Sequence, residues 1–159
     1  MDDEKRLDAL DRRILVALQG DGRLSYEELG GQIGLSASAT LRRVKRLEEA
    51  GVLAGYVALV KAQAVGLGLT AFINVKMSMH NEGFKRSPTD VFAAAVQTWP
   101  EVVECVMLTG EMDYLLKMLV ADMNHYAHFV LNTLLKHPSV QDCRTSFVMK
   151  AIKRDVTLV

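Results

Sequence analysis

Residues 36–47, SASATLRRVKRL, hold Arg42, Arg43, Lys45 and Arg46 and no acidic side chain. Guanidinium and ammonium groups on one helix face can neutralise phosphates, and an arginine can bond the O6/N7 edge of a guanine through two parallel donors. A turn of roughly 100° per residue gathers Ala37, Thr40, Leu41, Val44 and Leu47 on one side of such a helix. Ser38, Arg42, Lys45, Arg46 and Glu49 fall on the other, free to enter a groove. The early residues of the second helix in a helix-turn-helix approach base edges. Ser36, Ser38, Ala39 and Arg42 are therefore base-edge candidates, while Arg43, Lys45 and Arg46 are candidates for holding phosphates. A basic run on a helix is more often a solvated face, so the neighbouring elements have to decide.

Those elements favour the groove. Leu7, Leu10, Ile14, Leu15 and Leu18 have the spacing of an amphipathic helix, and Gly20 and Gly22 stop it. Ser25-Tyr-Glu-Glu28 is a capping box that opens a second helix, with Leu29 and Ile33 on its apolar face. Gly34 can take the left-handed conformation that ends it. Ser36 caps the third helix and Gly51 closes it. Val52–Val60, VLAGYVALV, is rich in β-branched residues and is expected as a short strand or hairpin, a wing. A winged helix-turn-helix DNA-binding domain is thus expected over residues 1–60, followed by a small-residue linker over 61–69.

The bulk composition excludes some partners. Nineteen basic and nineteen acidic side chains cancel, which argues against nucleic-acid binding by the whole surface but not by one concentrated patch. Cys105 and Cys143 fit no zinc or redox spacing. No segment reads as a signal peptide, and no apolar run approaches the roughly 18 residues of a membrane span. A soluble, cytoplasmic protein is expected, with no cofactor and no metal. His125 and His128 are three apart on one helix, yet no further ligand has matching spacing. No nucleophile stands with a base and no phosphate-binding glycine loop occurs, so an enzyme is not expected.

From Thr70 the pattern changes. Thr70 to Met79 alternates, with Ile73, Val75, Met77 and Met79 on one face and Phe72, Asn74, Lys76 and Ser78 on the other. Ser87-Pro88 opens a helix to about Thr98. Val102–Thr109 and Tyr114–Val120 read as strands, Asp122 caps a helix to about Lys136, and Cys143–Lys153 reads as a last strand. The order βαββαβ predicts an α+β, ferredoxin-like domain over residues 70–159. In the second of these strands, Val102, Val106 and Leu108 are expected opposite Val103, Cys105 and Met107. Apolar residues on both strand faces imply that a second copy covers the side away from the helices, making a homodimer.

In combination, these stretches resemble the Lrp/AsnC (leucine-responsive, feast/famine) family of bacterial and archaeal transcriptional regulators. LDALDRRILVALQGDGRLSYEELGGQIGLS is similar to that family's opening, LRRVKRLEEAGVLAGY to its recognition-helix tail and wing, and EVVECVMLTGEMDYLLK to its E-C-x-x-x-x-G-x-x-D-Y-L-L stretch. The resemblance spans essentially the whole chain. It departs where many members carry Ser-Pro-x-Pro-Cys and this chain carries Ser36-Ala-Ser-Ala-Thr40.

The resemblance implies dimers that assemble further, commonly to octamers, and an amino-acid effector held between dimers near the Gly-x-x-Asp-Tyr turn. Carried onto this chain, the effector-binding candidates are Gly110, Glu111, Met112, Asp113 and Tyr114, with Met123 and Ser146, Phe147 and Val148. The chemistry is compatible: glycine lets backbone N–H groups approach a carboxylate, and an aspartate can pair with an ammonium. Gly-x-x-Asp is equally an ordinary turn, its aspartate bonding its own backbone. The leading expectation is a sequence-specific regulator responding to an amino acid or related metabolite. The alternatives are a nucleoid-architectural DNA-binding protein without an effector, and an enzyme on the ferredoxin-like half.

Overall fold

The computed structural model describes residues 7–78, 87–153 and 158. By compactness the chain divides near Leu59, with Lys153 and Leu158 grouped with the N-terminal unit.

The N-terminal unit is three helices, α1 (Ala9–Gly20), α2 (Tyr26–Ile33) and α3 (Ala37–Glu49). Each start is locally encoded. Asp8 and Asp11 form a reciprocal capping box at α1, Ser25 and Glu28 form one at α2, and Ser36 accepts from the Ala39 N–H at α3. These bonds satisfy donors that a helix start leaves without partners. Ile14, Leu15, Leu18, Leu29, Ile33, Val44 and Leu47 make the core. Gly34 takes the expected left-handed conformation, φ 80°.

A second glycine controls how tightly α2 meets α3. The N–H groups of Gly34 and Leu35 both donate to the Gly30 carbonyl at 2.9 Å. A Cβ on Gly30 would lie 2.5 Å from the Leu35 carbonyl oxygen and 3.0 Å from Thr40 Oγ1. Thr40 is fully buried and donates to the Ser36 carbonyl at 2.9 Å.

The expected wing does not form a ladder. Among the described residues, 52–60 contain no strand, because the N-terminal unit is all helix and offers no edge to pair with. Leu53 packs on the core, and the Tyr56 ring lies against Gly22 while its hydroxyl donates to Glu48 at 3.1 Å. Burial and that carboxylate push the Tyr56 phenol up to about 12.

The second unit holds a 3-10 turn (Ala62–Val65) followed by β1 (Leu69–Met77), α4 (Pro88–Val96), β2 (Val102–Met107), β3 (Tyr114–Val120), α5 (Met123–Phe129) and β4 (Val140–Phe147). Its sheet is antiparallel in the order β2-β3-β1-β4. This is the ferredoxin-like arrangement, α+β as expected. Ala71, Ile73, Val75 and Met77 of β1 and Tyr114, Leu116, Met118 and Val120 of β3 point into one core with Phe92, Phe129 and Leu134. Trp99 lies edge-on to Phe92 and Phe129 and packs against this core.

Several boundaries differ from expectation, each for a local reason. Met79 and residues 80–86 lie outside the described residues. A bulge between Val102 and Glu104 breaks the alternation of β2, so Val102 and Cys105 both pack on the core while Val106 and Met107 are exposed. β4 begins at Val140 and stops at Phe147, because Phe147 already pairs with Ala71 and β1 has little left to offer beyond it. α4 ends at Val96, and α5 passes into a π turn over Val130–Leu134. The face away from the helices carries Phe72, Leu115 and Leu119 but also Lys76, Lys117, Glu104 and Arg144.

Gly30→Ala should lower stability to urea by about 1–3 kcal/mol, since backbone must move to admit the methyl group. Gly31→Ala, inside α2 with open space around its Cβ position, should gain about 0.5–1 kcal/mol. Circular dichroism melts of the two variants test this pairing of neighbours.

Candidate nucleic-acid interface and effector site

The basic helix α3 is held from behind by a carboxylate. Asp11 of α1 is only 1% exposed. Its Oδ1 accepts from Arg43 Nη1 at 2.8 Å and its Oδ2 from Arg46 Nη2 at 2.5 Å. Arg43 Nη1 also reaches Asp8 Oδ2 at 2.7 Å. The Asp11 N–H and the Arg43 guanidinium together hold the Asp8 carboxyl below its usual range, and the two aspartates push the Arg43 pKa up. A second tie runs from Arg43's neighbouring helices: Arg13 Nη2 donates to the Gln32 carbonyl at 3.0 Å, joining α1 to the end of α2.

The four basic side chains are thus not equivalent. Arg42 and Lys45 are exposed and carry no ion pair among the described residues. Arg46 is half exposed, tied at one nitrogen, and Arg43 is mostly buried between two carboxylates. Ser38, Leu41, Arg42, Lys45, Arg46 and Glu49 line one open depression on the outer side of α3, and the exposed part of Arg43 borders it too. At its start the Ser36 and Ser38 hydroxyls bond each other at 3.2 Å, with Ser38 exposed and Ala39 half-buried. Arg43, a phosphate candidate by sequence, is paired with Asp8 and Asp11 of the α1 start while still bordering the depression.

The effector candidates fall into two groups. Gly110, at φ 123°, opens the turn between β2 and β3. Asp113 braces that turn, its Oδ2 accepting the Met77 N–H at 2.7 Å and lying 3.4 Å from Lys76 Nζ. Lys76 also donates to the Glu111 carbonyl at 2.6 Å, and Glu111 pairs with Arg144 at 3.2 Å. Met112 is half-buried and Tyr114 is in the core. The aspartate therefore bonds the backbone of β1 rather than that of its own turn.

Met123, Ser146, Phe147 and Val148 lie elsewhere. Met123 opens α5, just past the far end of β3. Ser146 and Phe147 pair with Phe72 and Ala71, and the Val148 N–H donates to the Thr70 carbonyl, all toward that same end. Tyr126 joins this group, its ring 4.8 Å from Phe147 and its hydroxyl donating to Thr145 at 2.7 Å. Met123 and the Gly110 turn are separated by the whole of β3, about 20 Å for seven extended residues. The sheet brings the members of each group together and keeps the turn and Met123 apart.

His125 stands 3.3 Å from a Glu101 oxygen and His128 is exposed. Among the described residues no three His, Cys, Asp or Glu side chains form a metal site, and no helix is long and apolar enough to cross a membrane.

Two family models match the chain. The AsnC-type helix-turn-helix domain covers residues 7–48 and the Lrp/AsnC ligand binding domain covers residues 70–158. This chain belongs to the Lrp/AsnC family. Its relatives in that family include the leucine-responsive regulatory proteins of Salmonella typhimurium and Escherichia coli K12, 41% and 40% identical over 158 residues. Each alignment spans 98% of this chain and 92% of the relative. Among solved structures, it is similar to a transcriptional regulator from Neisseria meningitidis in complex with L-Met, with a TM-score of 0.91, 47% identity and 97% of each chain covered. It is similar also to an AsnC family regulator from Agrobacterium tumefaciens, with a TM-score of 0.86, 33% identity and 96% and 97% covered. Like other Lrp/AsnC proteins, this one is a DNA-binding transcriptional regulator, and its relatives are regulators rather than enzymes.

Sequence reasoning missed the Asp8–Asp11 box and the pairing of Asp11 with α3. The signal was present: Asp11 sits in the apolar row Leu7, Asp11, Ile14, Leu18. The pH consequence follows from Asp8. Its lowered pKa contributes stability that is complete above the ordinary carboxylate value of 3.8 and is lost as pH falls through the lower native one. Asp8→Ala should therefore be less stable than the parent at pH 6, the gap narrowing as pH falls below that ordinary value; parallel thermal melts down the acid range test it.

Proposed function

We propose that Arg42 and Lys45, with Ser36, Ser38 and Ala39, meet the duplex directly, and that a free amino acid bound between copies of the chain controls how the helix-turn-helix units are set on DNA. The observation that carries the DNA part is the outer face of α3, basic, exposed and backed by a capped three-helix core. Arg42 reads a base edge and Lys45 and Arg46 hold phosphates. The regulator works in the cytoplasm as a homodimer that assembles further, commonly to an octamer.

The effector part draws support from two findings. The Neisseria meningitidis relative was solved with L-Met. In this chain, the Gly110–Tyr114 turn and Met123 stand about 20 Å apart, more than one amino acid can bridge. A ligand answering to both groups is therefore shared between subunits: backbone N–H groups at Gly110 and Glu111 take its carboxylate, and Met123, Ser146, Phe147 and Val148 of another copy line the other wall. Binding then favours one assembly over others, because the shared site exists only where two subunits meet.

A duplex enriched from a random pool by the protein itself supplies the DNA probe. Arg42→Ala should weaken binding to it by about 1–3 kcal/mol and affect a scrambled duplex much less; equal losses would make Arg42 a phosphate contact. No preference for the enriched duplex over the scrambled one would point to an architectural DNA-binding protein. L-methionine, tested alongside the other free amino acids, should raise the melting temperature and change the size seen by light scattering. No shift with any of them would refute the effector reading.

A further inference from the structure

We propose that Asp11, although it never touches DNA, is a positioning residue of the interface: it sets Arg46 as a pre-ordered phosphate clasp and withdraws Arg43 from the duplex. The inference rests on α3 being the helix that meets DNA.

The geometry separates the two arginines. Asp11 Oδ2 takes one Arg46 nitrogen at 2.5 Å and also the Asp8 N–H at 3.2 Å, so this oxygen is fixed by α1's own backbone. A guanidinium is a rigid plane with five N–H donors. With one nitrogen tied inward and the side chain 53% exposed, Arg46 presents its remaining donors outward in a set orientation. Arg43 has no such freedom. Its Nη1 lies between Asp8 and Asp11, and only 24% of its side chain is exposed. Both carboxylates offset its charge.

Arg42 and Lys45 provide the contrast, exposed and unpaired among the described residues. Each must be ordered when it meets a phosphate. Arg46 has already lost much of that freedom in the free protein, so its contact forms at less entropic expense. One buried carboxylate on a helix that stays out of the groove thereby grades the basic row into two mobile contacts, one preset contact and one internal tie.

The test uses the full chain, the enriched duplex and affinity measured over a range of salt concentrations. Arg46→Ala should reduce the slope of log affinity against log salt by about one, as loss of a phosphate contact does. Arg43→Ala should leave that slope unchanged. Asp11→Asn should keep the slope but weaken binding about two- to tenfold, the cost of ordering one long side chain. In the Arg46→Ala background the same change should have little effect, a coupling that general loss of structure would not produce.

Lys45→Ala is the control. If it lowers the slope and Arg46→Ala does not, the positioning role is refuted and the α3 reading stands. If neither changes the slope, both fall. Equal slope losses for Arg43→Ala and Arg46→Ala, or an Asp11→Asn effect that is the same in both backgrounds, would also overturn the inference. Should Asp11→Asn fail to fold by circular dichroism, Arg46→Lys replaces it. That variant retains the charge without the fork and should bind several-fold more weakly at an unchanged slope; parental affinity would refute the proposal.

Discussion

A buried carboxylate facing two guanidinium groups decides which side of α3 is available. Asp11 is 1% exposed, and a buried charge that loses its partner costs about 3–5 kcal/mol. α3 therefore cannot roll about its axis without stranding Asp11. The same rotation would pull Val44 and Leu47 out of the core and part Thr40 from Gly30. Ionic, apolar and steric contacts agree on one setting, and in that setting Ser38, Arg42 and Lys45 point outward. This is how a chain with no net charge presents a basic surface: its acids are placed behind or beyond the row rather than within it.

A second constraint governs the other unit. β3 is the ruler of the ferredoxin-like sheet, with the Gly110 turn at one end and Met123 beyond the other. Asp113, Lys76, Glu111 and Arg144 stiffen the turn through bonds to backbone and to each other. Tyr126 ties α5 to the end of β4 through Phe147 and Thr145. In the proposed reading, these two groups are half-sites held apart in one chain and completed by another. Ligand binding and assembly are then one equilibrium.

Much of this was legible in the residues. Ser25-x-x-Glu28, Gly34 and Ser36 wrote the helix-turn-helix in local hydrogen bonds, and alternation over Thr70–Met77 marked the central strand and its buried face. What escaped depended on partners distant in sequence. Val52–Val60 had strand composition, but a strand needs an edge, and the three-helix unit supplies none. The β2 bulge and the early end of β4 follow from register with neighbouring strands, which period-two patterning does not contain. At the site, the basic row was visible while its division was not. Charge alone groups Arg43 with Lys45 as a phosphate candidate until Asp11 is seen across the core, 32 residues earlier than Arg43. A lone aspartate in an apolar stripe was the available clue.

The claim that α3 presents a graded row, with Arg43 turned inward, is most directly tested by observing the arginine side chains themselves. Heteronuclear NMR of the guanidinium Nε–Hε groups, recorded with and without a short duplex, resolves each one. The account predicts that Arg42 and Arg46 shift on adding DNA while Arg43 keeps its free-state signal, still paired with Asp8 and Asp11. An Arg43 signal that moves as far as that of Arg42 would show that the inward tie breaks on DNA, and would contradict the account.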